Sequence, residues 1–217
     1  MTALESARTR ARPAGRTTRA GRLWLAGIGG AWALFSTPLV AGDWGAKWIE
    51  ALSLAEPWRS LRDVVDEPYI VHGALGGLSF LAIGLALLPD LRRAGWGGTA
   101  LAWLVLAGAL VTPVSYLSTP VDAPTHALWG SEGPLLIVIG IVGVLAAITA
   151  GPRWPLWARI LLGCTLPVLI AGLLATGYYP HGPLATLALE AVALIAAAPR
   201  ATAPASAAAD ADEAHSG

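Results

Sequence analysis

The chain contains no asparagine and no glutamine, a single cysteine, a single methionine, a single lysine and two phenylalanines, and only 13% of its residues are charged. Without asparagine there is no N-glycosylation sequon, and without either amide few polar side chains remain for helices to share. The lone Cys164 excludes an intramolecular disulfide and a CxxC redox pair; inside an apolar run it reads as a small packing residue. Soluble domains carry about a quarter charged residues, so this shortage of charge, beside 55% hydrophobic residues, places the chain in a bilayer. The P-loop, the Rossmann glycine fingerprint, HExxH and the G-x-S-x-G elbow are all missing. Polar side chains within the apolar runs are too sparse for a nucleophile with its base and orienter, a reading that leans away from an enzyme. The basic residues gather at a few places between long uncharged stretches, which is topological information and argues against nucleic acid.

A hydrocarbon core about 30 Å thick needs about 20 apolar helical residues. Runs of that kind predict an all-α polytopic bundle of six spans, near Leu23 to Ala41, Tyr69 to Leu88, Gly97 to Leu117, Pro134 to Ala150, Leu156 to Thr176 and Pro183 to Ala198. The division is an Arg-rich tail over 1–21, a membrane domain over 22–199 and an Ala/Pro/acid-rich tail over 200–217 with nothing to bury, in which His215 needs no role. With six spans, Arg8, Arg10, Arg12, Arg16, Arg19, Arg22, Arg92, Arg93, Arg153, Arg159 and Arg200 share one side, against Lys47, Arg59 and Arg62 on the other. The positive-inside rule then puts both termini in the cytoplasm, and the tryptophans fall at the two interfaces. An Arg-rich start followed by an apolar run and the small residues around Val40 to Gly42 also resembles a signal peptide, but its polar region is long for one. The Ala/Arg/Gly-heavy, Lys-poor usage suggests a bacterial plasma membrane.

The external segment 43–68 is the one sizeable loop. Trp44, Trp48 and Leu52 recur every fourth residue, and Trp58, Leu61 and Val65 keep helical spacing beyond Pro57. This predicts two short interfacial helices on the outer surface, acting as a cover for the bundle mouth or a docking surface for membrane-protein partners.

Three sequence stretches resemble one another: Y-I-V-H-G-A-L from Tyr69, W-G-S-E-G-P-L from Trp129 and Y-Y-P-H-G-P-L from Tyr178. Each precedes an apolar run that ends at an arginine, so the even spans run in the same direction and the six spans read as three tandem hairpins. Interfacial Tyr and Trp, N-terminal Pro and polar capping residues account for part of the same likeness. Either way, His72, Glu132 and His181 are expected at the outer mouths of three parallel helices. If the helices meet on an axis, these residues form a ligand set for zinc, copper or iron, to which His126 could add a third imidazole. Bis-histidine haem ligation fits less well, because His72 and His181 stand at helix ends rather than on facing helix surfaces.

Glu190 departs from the repeat, which has Leu81 and Ile141 at the corresponding positions. It lies about 13 Å deeper than His181 at helical rise. A carboxylate there costs roughly 2.5 to 3.5 kcal/mol on insertion scales, which makes it a candidate proton or cation relay facing the bundle interior. Cys164, Thr165 and Ser79 are the polar residues at comparable depth. The expected function is carriage of a small solute or cation, with an outer His/Glu site and Glu190 as relay. Two other classes fit the same composition: a non-catalytic subunit of a membrane complex, and a metal- or haem-dependent membrane oxidoreductase.

Overall fold

The computed structural model describes residues 18–199, and among them every regular element is helical. The expected tails, with Arg8, Arg10, Arg12, Arg16, Arg200 and His215, lie outside the described residues apart from 18–21.

Helix α1 (Arg19–Ala41) starts where the Thr18 hydroxyl accepts the Gly21 N–H at 3.1 Å, and stops at Gly42, whose φ of +47° favours a residue without a side chain. Two short helices follow, α2 (Lys47–Ser53) and α3 (Trp58–Asp63), and then α4 (Pro68–Ala74) and α5 (Gly77–Leu91). The chain reverses through a turn at Arg92–Ala94 into α6 (Gly95–Leu117). The remaining helices are α7 (Glu132–Thr149), α8 (Leu156–Gly163), α9 (Thr165–Thr176) and α10 (His181–Ala197).

Three helical stretches, Arg19–Ala41, Pro68–Leu117 and His126–Thr149, are long and apolar enough to cross a membrane, and a fourth is gained if the bent pair α8 and α9 counts as one. The α10 helix is apolar but shorter.

Two of the predicted spans are not continuous. Tyr69 to Leu88 breaks at Leu75 and Gly76, where the Leu75 carbonyl accepts the Trp32 indole N–H at 3.0 Å and the backbone tightens to i,i+3 bonds. Leu156 to Thr176 bends by 59° at Cys164. Pro167 causes the bend, since it offers no N–H to the Gly163 carbonyl and its ring crowds that oxygen.

Glycines set the helix spacing. The Phe80 ring lies where a Cβ on Gly108 would sit, the Leu106 side chain does the same at Gly84, and the Leu91 carbonyl abuts Gly98, so α5 and α6 run antiparallel in contact along their length. Equivalent close approaches join α6 to α7 (Gly97 with Leu145), α7 to α9 (Gly140 with Leu166), α9 to α10 (Gly172 with Thr186), α10 to α1 (Ala188 with Gly30) and α1 to α5 (Gly29 with Ile83). Chain order therefore runs round the bundle, and the last helix closes on the first. Each long helix packs on the one before it as well as the one after, so the contacts do not single out three separate pairs.

The main core fills the ring, with Phe80, Ile83, Leu101, Ile139, Leu162, Leu184 and Leu194 among its buried side chains. A second, smaller core caps the end that carries segment 43–68, called outer from here on as a label only, and joins Leu39, Val40 and Ile49 to Tyr116 and Tyr178. Segment 43–68 contributes to this cap by the face of α2 that lies away from its tryptophans. Trp44 is 80% exposed and Trp48 is also exposed, whereas Ile49 and Ser53 are buried. Hydrogen bonds fix this orientation: the Trp48 indole N–H reaches the Ala175 carbonyl at 2.8 Å, and the Ala46 N–H reaches that of Thr176 at 2.7 Å. The Trp58 N–H donates to the Phe35 carbonyl at 2.9 Å, which ties α3 down as well.

Candidate functional site

Polar groups are rare in this interior, so each buried one can be followed to its partner or shown to have none. They occur at three levels of the bundle.

The outer level holds both repeat histidines. His181 is the first residue of α10 and is 0% exposed; its imidazole sits in the break between α4 and α5, with Nε2 2.9 Å from where a Cβ on Gly76 would be. His72 is buried one turn away on α4, and its Nε2 lies 3.4 Å from the Leu61 carbonyl of the covering segment. Three tyrosines surround them. The Tyr116 and Tyr178 hydroxyls share a hydrogen bond of 2.9 Å, and the two rings lie 6.3 and 6.0 Å from the His181 imidazole. Tyr69 packs 5.1 Å from Tyr116. Burial in this cluster pushes the Tyr178 hydroxyl far above the ordinary phenol value. Neither ring nitrogen of His181 makes a well-formed hydrogen bond among the described residues, the His72 backbone being within its influence but poorly aligned.

Glu132 does not join them. It opens α7 beside Ser115, buried, with Oε2 unpartnered, and no group of three His, Cys, Asp or Glu side chains able to hold a metal exists among the described residues. The expected triad of His72, Glu132 and His181 is thus a pair of histidines with a separate carboxylate, because Tyr116 fills the space towards α7. His126 is also apart: its Nδ1 lies 3.0 Å from the Ser118 carbonyl and its ring stacks on Trp129.

The middle level holds Glu190, 4% exposed and facing the interior. Of the partners considered for it, Thr165 is the one found, with its hydroxyl 2.8 Å from Oε1; Oε2 has no partner. The same hydroxyl lies 2.8 Å from the Leu162 carbonyl. One hydroxyl proton cannot serve both oxygens at once. When Glu190 is a carboxylate, Thr165 donates to it; when Glu190 is an acid, Thr165 can turn to Leu162 and accept. Rotation of one hydroxyl accommodates both states. Between this level and the outer one lie Ser79, three residues inward of Gly76, and Thr112, next to the Pro113 that abuts Gly77. Both hydroxyls are fully buried and unpartnered.

The inner level was not anticipated. Asp90, 1% exposed, is held by ion pairs from Arg22 and from Arg93, the latter at 3.1 Å. Arg19 donates to the Ala196 carbonyl at the end of α10. Arg22 had counted only towards topology; the available signal was Asp90, an acid at the end of an otherwise apolar run and three residues before Arg93.

No family model matches this chain, and neither a curated protein nor a solved structure shows significant similarity to it.

Proposed function

We propose that the chain is a six-span plasma-membrane protein that carries protons through its helix bundle, with both termini cytoplasmic. In this reading α1, α4–α5, α6, α7, α8–α9 and α10 are the spans, a count supported by their antiparallel packing and by the arginines at one end of the bundle. His72 and His181 form the outer mouth, and Glu190 is the relay.

The observation that carries the proposal is the Glu190 carboxyl itself. It is buried at mid-bundle, bound on one oxygen to a hydroxyl that suits either protonation state, and free on the other. A purely structural acid would have both oxygens satisfied, since a half-satisfied buried group costs about 1 to 3 kcal/mol. The unpartnered His181, Thr112 and Ser79 lie on the way to it and can each hydrogen-bond an internal water, which is how a proton would travel between groups too far apart to touch. Glu132 lies off this line.

The test is proton flux in proteoliposomes carrying an internal pH dye, driven by a potassium diffusion potential. Wild-type protein should acidify or alkalinise the lumen according to the sign of the potential. Glu190→Gln should cut the flux by about a hundredfold, while the protein still elutes as one peak in detergent. Flux equal to wild type in Glu190→Gln would remove the relay role.

A further inference from the structure

The inner level forms a cleft of ≈ 180 Å³ lined by Arg19, Arg22, Asp90, Arg93, Ile195, Ala198 and Pro199. Among the described residues three guanidiniums face one carboxylate there, which leaves an excess of two positive charges in the lining. Asp90 cannot compensate all three, because one carboxylate carries a single negative charge; its two oxygens are engaged by Arg22 and Arg93. Its effect is to fix the direction of those two side chains. Among the described residues Arg22 makes no other side-chain hydrogen bond and Arg93 makes none beyond Asp90, which leaves most of their donors unengaged by this part of the chain. Arg19 is anchored separately on the Ala196 carbonyl.

We propose that this cleft binds a phosphate group. The guanidinium fork matches two oxygens of a phosphate, and two uncompensated charges match the charge of a monoester or of a diester with a second anionic neighbour. The opposite wall is apolar, made by Ile195, Ala198 and Pro199 at the end of α10. A phosphate with a hydrocarbon attachment therefore fits better than a bare one, and the cleft lies at the end of the bundle where the arginines gather, the level of the inner headgroups under the six-span reading. The two sources of that chemistry are an anionic phospholipid headgroup and soluble phosphate. The site lies at a different level of the bundle from Glu190 and holds whether or not protons move.

The experiment is thermal unfolding followed by tryptophan fluorescence, on full-length protein in detergent micelles doped with phosphatidylglycerol, with phosphatidylcholine, or with neither, and separately with inorganic phosphate against chloride at equal ionic strength. Phosphatidylglycerol should raise the midpoint by about 5 °C over phosphatidylcholine. The difference should vanish in Arg19→Gln/Arg93→Gln, which keeps the Arg22–Asp90 pair, and persist in Arg59→Gln at the other end. An equal shift from inorganic phosphate would assign the site to the soluble anion. Overturning results are a wild type with no preference for either phosphate source, or a preference undiminished in the double variant. Lipid retained on wild-type protein in native mass spectrometry, and absent from the double variant, gives a second readout should that variant unfold early.

Discussion

The two ends of the bundle bury polar groups in opposite ways. At the outer end, His72, His181 and three tyrosines form an aromatic cluster with no ion pair among them, linked by one hydroxyl pair and leaving both nitrogens of His181 without a well-formed hydrogen bond among the described residues. At the inner end, Asp90 and its arginines are charged, directed at one another, and leave no atom of the carboxylate unpartnered. Ion pairing holds a geometry, because either partner alone would be an uncompensated charge in a poor solvent. An unpartnered imidazole holds nothing and is retained at a cost. The inner end should therefore matter most to folding, and the outer end most to what the protein does.

The largest expected effect is at Asp90. Asp90→Asn strands the Arg22 charge and should destabilise the protein by about 3 to 5 kcal/mol, read as a fall in the detergent unfolding midpoint, whereas Arg22→Met/Asp90→Leu should recover most of that loss. A double variant as unstable as the single one would remove the ion-pair explanation. Next is Gly143→Ala in the middle. A Cβ there would come within 2.5 Å of the Thr165 hydroxyl, so about 1 to 3 kcal/mol of overpacking is expected, together with a loss of proton flux that a distant overpacked site would not produce.

His181→Leu tests the outer end from the other direction. Removing two unpartnered nitrogens while keeping side-chain bulk should leave stability unchanged or raise it by about 1 kcal/mol, while flux falls. A large loss of stability instead would make His181 structural and blur the contrast between the ends. The smallest effect is in the tyrosines. A phenol whose ionisation is pushed up in the folded state keeps its contribution to stability below the unfolded value, near 10, and loses it progressively as pH rises beyond that. Unfolding midpoints should thus decline above pH 10, less so in Tyr178→Phe, and difference absorbance of the native protein should show fewer phenolates than there are tyrosines.

Much of the helical layout was legible in the sequence because uncharged runs of about 20 apolar residues impose a strong pattern. Each of the six apolar runs became a helix, or a pair of helices in series, within a few residues of its expected limits. Glu190 was recognisable from its depth, and Thr165 was among the few hydroxyl or thiol groups at that depth. What could not be read was lateral arrangement. Spacing along the chain puts His72, Glu132 and His181 at one height, but only the order of helices round the ring decides that His181 enters the α4–α5 break while Tyr116 separates Glu132 from it. The bend at Cys164 was within reach, since Pro167 stood in the sequence, and so was Asp90. The buried face of α2 was not, because Ile49 with Ser53 has the same four-residue spacing as Trp48 with Leu52, and the choice fell to one indole hydrogen bond.

The closure of α10 on α1 also sets a timetable. Arg19 and Gly30 meet Ala196 and Ala188, partners synthesised much later, and at about 5 to 20 residues per second the first helix waits roughly 10 to 30 s for them. During that interval its glycine-lined flank stands uncovered, and chains cut short before His181 would keep it so. Completion of α10, more than any single contact, is therefore the event that closes this bundle.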